Sequence, residues 1–244
     1  MSTTFRLILD PPRDAALNMA IDELLMETQS FPGAPPVLRF YSWSEPAYSI
    51  GYFQNVAGIV KRFKCAKENI SVVKRLTGGG LVFHGTDLTF SLSMKDKAHF
   101  FTGNVKDSYL KVNEALRAGL KPLFPDIDYA DCKSIPSGRG GKARVCFEEP
   151  SCCDLLVHSK KVVGASQRRK RGAILHQSSI FLSGDETVLC RHILKGFMEK
   201  WKIDFFEKPL SDEELLAAQQ KTKRYASNDW AYLPDLNLER SFLS

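Results

Sequence analysis

In "DAALNMAIDELLMET", residues 14–28, Leu17, Ile21, Leu24 and Leu25 recur at helical spacing, which predicts an early amphipathic helix. The pattern then shortens into β-like runs. "VLRFYSW" and "AYSIGYF" are separated by a Ser-Glu-Pro turn, and "SVVKR", "LVFH" and "LTFSLSM" follow. A second helix is predicted through "VKDSYLKVNEALRAGLKPL", and three more strands in "DLLVHS", "KVVGASQ" and "AILHQSSIFL". Between these lies "SIPSGRGGKAR", whose Gly, Ser and basic residues read as a surface loop. Near the end, Ser211 with Glu214 forms a capping-box pattern that opens a helix in "DEELLAAQQKT".

Strands and helices in this order imply an α+β fold, a mixed β-sheet core with packed helices. No linker composition or internal repeat appears. The expectation is one domain overall, with residues 1–183 as the main catalytic part and 184–244 as a helical C-terminal part packed on it.

Composition narrows the class. At 244 residues, 43% hydrophobic and 25% charged, the chain is an ordinary globular one with room for a sizeable core. No run of about 18 apolar residues is present, and the N-terminus lacks a secretory pattern, so the expected compartment is the cytoplasm. Cysteines there stay reduced and are reactive or metal-bound more often than paired. The net charge of +6 favours an acidic partner without naming it. The excess is concentrated between Lys133 and Arg171, where Glu148, Glu149 and Asp154 face ten basic residues. Such a stretch is either a solvated face or a docking surface.

Two stretches carry candidate chemistry. "KRLTGGGLVFHG" sets Gly78, Gly79 and Gly80 between β-like runs, flanked by Arg75 and His84. It is neither a phosphate-binding P-loop nor a dinucleotide fingerprint, since no Gly-Lys-Ser/Thr follows and a strand rather than a helix comes next. The plain reading is a tight hairpin turn, and the alternative is a backbone that closely approaches a ligand. "RVCFEEPSCCDLLVHSKKVVG" holds Cys146, Cys152 and Cys153. Adjacent thiols do not provide the paired spacing of a zinc site, so no metal is expected. A vicinal disulfide would be strained. Cys65, Cys132 and Cys190 read as packing residues. Cys146 follows a basic loop, where Arg144 or Lys161 would favour its thiolate, so it stands between packing residue and nucleophile.

Four blocks, in order, resemble the biotin/lipoate protein ligase superfamily: "NMAIDELLM" with "VLRFYSWSEPAYSIGYFQN", then "KRLTGGGLVFHGTDLTFSLS", then "VCFEEPSCCDLLVHSKKVVGASQRRKRGAILHQSSI", and finally "KRYASNDWAY". They cover most of the chain and are most similar to the cysteine-dependent octanoyltransferases of lipoate assembly. That resemblance implies the fold of the superfamily's catalytic domain. It places Cys146 at the family's nucleophile and Lys161 at its active-site lysine. It sets Arg75, Thr77, Gly78, Gly79, Gly80 and His84 beside the acyl chain, with Gly164, Ala165, Ser166 and Gln167 on the following strand.

The implied substrate is an octanoyl or lipoyl group, with no tightly bound cofactor. The implied partners are an acyl carrier protein and lipoyl-domain acceptors of the glycine-cleavage H or E2 type. The enzyme is expected to work as a monomer, with neither nucleic acid nor membrane as partner. The rival is an ATP- and magnesium-dependent lipoate–protein ligase, which often needs a further domain or accessory chain. A non-catalytic acyl- or biotin-binding protein is a third reading. Departures from the family pattern are Cys152-Cys153 in place of aromatics, Gly164-Ala165-Ser166-Gln167 in place of Gly-Ser-Ala-Gln, and the order His176-Gln177. The last of these would move an imidazole to the other face of its strand.

Overall fold

The computed structural model describes residues 3–96, 105–131 and 154–233. Cys132, Cys146, Cys152, Cys153 and the predicted loop at 134–144 lie outside them.

The strands are β1 (Thr3–Leu9), β2 (Val37–Tyr41), β3 (Ala47–Ile50), β4 (Ser71–Lys74), β5 (Val82–His84), β6 (Leu88–Lys95), β7 (Asp128–Tyr129), β8 (Leu155–Val157), β9 (Lys160–Lys170), β10 (Ala173–Ile180), β11 (Ile203–Glu207) and β12 (Ala231–Tyr232). The helices are α1 (Ala15–Thr28), α2 (Val56–Arg62), α3 (Cys65–Glu68), α4 (Val105–Leu120), α5 (Glu186–Trp201) and α6 (Asp212–Tyr225). An eight-stranded sheet runs β11-β1-β2-β6-β10-β9-β8-β7, and a four-stranded sheet runs β12-β4-β3-β5. In the large sheet β1 is parallel to both β11 and β2, and the remaining pairs are antiparallel.

Alternation assigns the two faces of the large sheet. Leu38 and Phe40 of β2, with Leu88, Phe90, Leu92 and Met94 of β6, enter one core with Val112 and Leu116 of α4 and Ile193 and Phe197 of α5. Val37 and Tyr41 point the other way, onto α1, which also packs against Ala218 and Tyr225 of α6. The helices α4 and α5 meet backbone to backbone. A Cβ on Gly196 would lie 2.1 Å from the carbonyl oxygen of Ala115, so no larger residue fits that crossing.

The early helix forms as predicted, with Asp14 as its N-cap. Its buried face is wider than the leucine pattern, because Asn18, Asp22 and Glu23 are enclosed with Met19 and Ile21 while Leu17 and Leu24 are only half-buried. The capping box at Ser211 and Glu214 is present. The tail is not purely helical, since β11 extends the large sheet beside β1 and β12 extends the small one beside β4. Cys65 is fully buried, as expected of a packing residue, and Cys190 is half-buried. Among the described residues no helix is long and apolar enough to cross a membrane.

The glycine run is not a hairpin turn. β4 pairs with β3 in parallel and β5 pairs with β3 antiparallel, so Gly78–Gly80 cross over the end of the strand between them. The crossing is close. A Cβ on Gly51 would sit 2.1 Å from the Gly79 carbonyl oxygen, and Gly79 itself takes φ +94°.

Candidate active site

Thr89, on the polar side of β6, forms part of the floor. "LTFSLSMK" alternates, and Thr89, Ser91 and Ser93 face the side opposite to Phe90 and Leu92. That side is covered rather than solvated, and all three are buried. A narrow recess, partly open to solvent, lies there among Met19, Tyr41, Trp43, Ser49, Arg75 and Val82, with His84, Thr89, Gly164–Ser166 and Gln177–Ser179 completing it.

A buried hydrogen-bond chain organises one wall. Asp22 of α1 accepts from Arg39 Nη1 at 2.8 Å and Ser91 Oγ at 2.6 Å on one oxygen. On the other it accepts from Tyr41 OH at 2.9 Å and Gln177 Nε2 at 2.7 Å. A carboxylate only accepts, so the Gln177 amide is oriented with Oε1 towards Thr77, whose hydroxyl donates to it at 2.7 Å. Thr77 has one proton, and therefore the 2.7 Å contact with Ser166 must be donated by Ser166. Burial and the Asp22 carboxylate push the Tyr41 phenol well up, so it remains a donor.

Arg75 organises the glycine loop. Its Nη1 donates to the carbonyl and hydroxyl oxygens of Ser49, both at 2.7 Å, and its Nη2 donates to the carbonyls of Gly78 and Gly80, both at 2.9 Å. A trans peptide sets N–H opposite C=O, so the N–H groups of Gly79 and Leu81 point away from the guanidinium. Arg75 thus acts first as a clamp on the loop that the sequence had placed beside the ligand.

His84 sits between Ser49 and Asp87, with Nε2 2.6 Å from Ser49 Oγ and Nδ1 2.8 Å from Asp87 Oδ2. Burial pulls the imidazole pKa down, Asp87 opposes this, and Arg75 adds to it, leaving the ring neutral at pH 7. Asp87 only accepts, so Nδ1 carries the proton and Ser49 donates to Nε2. Burial alone would raise the Asp87 carboxyl, but His84 and the hydrogen bonds from His84, Thr89 and Ser179 outweigh it and hold it below its usual range.

Lys161 stands beside a bulge in β9 and is not among the residues that line the recess. Leu155 pairs with Val163, yet Leu156 pairs with Lys161, and Val162 and Val163 both enter the α4/α5 core. Two consecutive side chains on one face shift the alternation, which assigns Lys161 to the face of Gly164 and Ser166. Its ammonium lies 2.7 Å from Asp154 Oδ2, with the side chain 5% exposed.

The fold therefore brings Arg75, His84, Gly164, Ala165 and Ser166 to the lining of one recess, while Thr77, Gly78 and Gly80 stand behind it, joined through Arg75 and Ser166, with Gly79 between the two glycines. Gln167 does not join them, because the next position on a strand faces the other way. Its side chain lies 2.9 Å from His176 Nδ1 and 2.7 Å from Ser108 on α4. The His176-Gln177 order has the same effect. The imidazole is buried beside Phe90 and Tyr109, and the amide faces the recess. Asp22, Ser49 and Asp87 are not singled out by the sequence, and Gln177 only for its order with His176. The available hint was polar residues at strand and helix positions whose neighbours are core.

Residues 14–208 match the family described as the lipoyl protein ligase A/B catalytic domain. Octanoyltransferase LipM of Oceanobacillus iheyensis is 32% identical over 227 residues, covering 92% of this chain and 82% of its own length. Octanoyltransferase LipM of Bacillus subtilis is 33% identical over 219 residues, covering 87% and 79%. Among solved structures, a lipoate-protein ligase A bound with ATP superposes with TM-score 0.73 at 24% identity, over 94% of this chain and 98% of that one. A bipartite lipoate protein ligase from Thermoplasma acidophilum, described with its E2 lipoyl domain, superposes with TM-score 0.71 at 21% identity, over 94% and 96%. The last two establish a common fold.

Proposed function

The chain belongs to the lipoyl protein ligase A/B catalytic-domain family, and we propose that within it this protein transfers octanoyl from an acyl carrier protein to a lysine of a lipoyl-accepting domain. The observation that carries this reading is the similarity to octanoyltransferases LipM at 32–33% identity across most of the chain. Chain length does not separate transferase from ligase, since the ATP-bound ligase is covered over 98% of its length. Cys146 supports the transferase, because a thiol at that position serves as its nucleophile and would be incidental in a ligase that activates its acyl group as an adenylate.

The reaction has two steps. The Cys146 thiolate attacks the carbonyl carbon of the carrier's thioester, a new C–S bond forms, and the carrier leaves as a thiol after taking a proton. The acceptor's neutral lysine amine then attacks the Cys146 thioester, an amide forms, and the thiol returns. Thioester exchange is near balance and amide formation is downhill, so neither ATP nor a metal is required. The Lys161 ammonium, held by Asp154, stabilises the negative charge that develops on the carbonyl oxygen in both steps. The recess holds the chain, with Met19, Val82 and Trp43 as its apolar surface. The acceptors are H- or E2-type lipoyl domains, and the enzyme acts as a cytoplasmic monomer.

A paired assay on a lipoyl-domain acceptor tests this: octanoyl carrier protein without ATP, against free octanoate or lipoate with ATP and magnesium. Transfer is expected in the first. Activity confined to the second would establish the ligase instead.

A further inference from the structure

Two rings of the recess hang from one carboxylate. Trp43 stacks on His84 with ring centroids 3.9 Å apart and planes 17° from parallel. His84 Nδ1 binds Asp87 Oδ2 directly at 2.8 Å. Trp43 binds it through Thr89, its Nε1 donating to Thr89 Oγ1 at 3.0 Å and the Thr89 hydroxyl donating to Asp87 Oδ2 at 2.8 Å. The backbone N–H of Gly85 reaches Oδ1 at 3.3 Å. At the far side of the imidazole, Ser49 links the ring to Arg75 and so to the glycine loop. Trp43, Ser49, His84 and Thr89 line the recess, whereas Asp87 stands behind them.

We propose that Asp87 is a positioning residue that sets the acyl-chain length accepted by the recess, by holding the stacked His84–Trp43 pair as a rigid wall. The inference rests on the reading of the recess as the acyl site. A pocket discriminates between chains differing by one methylene by roughly 10- to 200-fold, and only a wall that does not yield can do so. Each ring here is fixed in its plane by a hydrogen bond and across it by the stack. Asp87 is suited to this because it accepts from His84, Thr89 and Gly85 together. An asparagine has one acceptor oxygen: with it towards His84 and Thr89 its NH2 opposes the Gly85 N–H, and turned over it loses both rings, so the wall is loosened either way. Ser49, His84 and Asp87 also have the spacing of a nucleophilic triad. Ser49 is completely enclosed, however, and its oxygen is shared between Arg75 and His84, so it serves as a strut.

The test compares octanoyl, decanoyl and dodecanoyl carrier proteins as donors for the parent and for Asp87→Asn, Thr89→Val and Trp43→Phe. The expected result is a rise of about tenfold in the dodecanoyl-to-octanoyl ratio of kcat/KM for Asp87→Asn, carried by KM for the longer chain. Smaller rises follow for the other two, since Thr89→Val frees the Trp43 ring and Trp43→Phe removes its tether, while His84 stays tied to Asp87 in both. An equal fall for all chain lengths would reduce Asp87 to a stability role and overturn the proposal. An octanoyl adduct on Ser49 in mass spectra of a Cys146→Ala protein would overturn it too. Should Asp87→Asn not fold, an unchanged ratio in both remaining variants overturns it. Should the parent transfer nothing, the functional reading fails by itself. Calorimetric binding of octanoate, decanoate and dodecanoate to parent and variants then decides the wall, with the same shift in preference expected.

Discussion

The Thr77 hydroxyl donates 2.7 Å to Oε1 of Gln177, a residue 100 positions further along the chain, and Asp22 on a third element holds that amide in place. The glycine loop is thereby tied through one oxygen to β10 and α1, so loop geometry and helix packing are set together.

Replacing Thr77 by Val keeps the volume and leaves the Gln177 carbonyl and the Ser166 hydroxyl without their buried partner. The expected cost is about 1–3 kcal/mol of stability in urea denaturation, with a lowered kcat/KM for octanoyl transfer. Gln177→Glu sets a second carboxylate beside Asp22 and is expected to cost more. Equal stability of Thr77→Val and parent would show that the loop does not depend on this bond.

Lys161→Ala is expected to abolish transfer and, by leaving Asp154 without its ammonium, to destabilise the fold by roughly 3–5 kcal/mol. The double variant Lys161→Ala/Asp154→Ala should recover much of the stability and none of the activity. Recovery of both in thermal melts and transfer assays would make the lysine structural only.

Gly51→Ala forces a methyl to within 2.1 Å of the Gly79 carbonyl, against backbone that Arg75 clamps from the other side. Overpacking of this kind costs about 1–3 kcal/mol. Because the displaced atoms belong to the recess loop, KM for octanoyl carrier protein should rise as well. A variant with normal melting and normal KM would mean that the loop moves freely.

Acid should weaken the fold over a defined window. Burial brings the His176 pKa down from 6.5 to about 3. Between those values the unfolded chain binds a proton that the folded one refuses, so stability rises with pH at up to about 1.4 kcal/mol per pH unit for this one group. His84, also lowered, contributes with the same sign below 6.5. Asp87, held below 3.8, contributes stability that is present above that value and is lost as pH falls through its lower folded value. Urea midpoints between pH 4.5 and 7 should climb with pH, and His176→Gln should flatten the slope by close to one proton. A flat profile in the parent would contradict burial of a neutral His176.

Elements whose signals are local are legible in the chain alone. The period of "DAALNMAIDELLMET", the capping box at Ser211 and Glu214, and the strands around "KVVGASQ" and "AILHQSSIFL" all follow from spacing and end chemistry within one segment. The glycine run was visible as a candidate site only beside the plainer reading of a hairpin turn, because Arg75 and His84 flank it and its block resembles the family's. Pairing and register were not visible, because they depend on partners far away in the chain. Only the tertiary structure decided that β3 lies between β4 and β5, which turns an apparent hairpin into a crossing loop. Only the bulge beside Val162 assigned Lys161 to the recess face, and strict alternation sent Gln167 and His176 away from it. The same holds for the polar side of β6. Its alternation reads as half-exposed in isolation, and α1 laid across it buries those hydroxyls and leaves Thr89 at the lining of the recess. A strand's own residues state which side chains share a face, and only the elements packed against that face decide whether it becomes core, surface or recess.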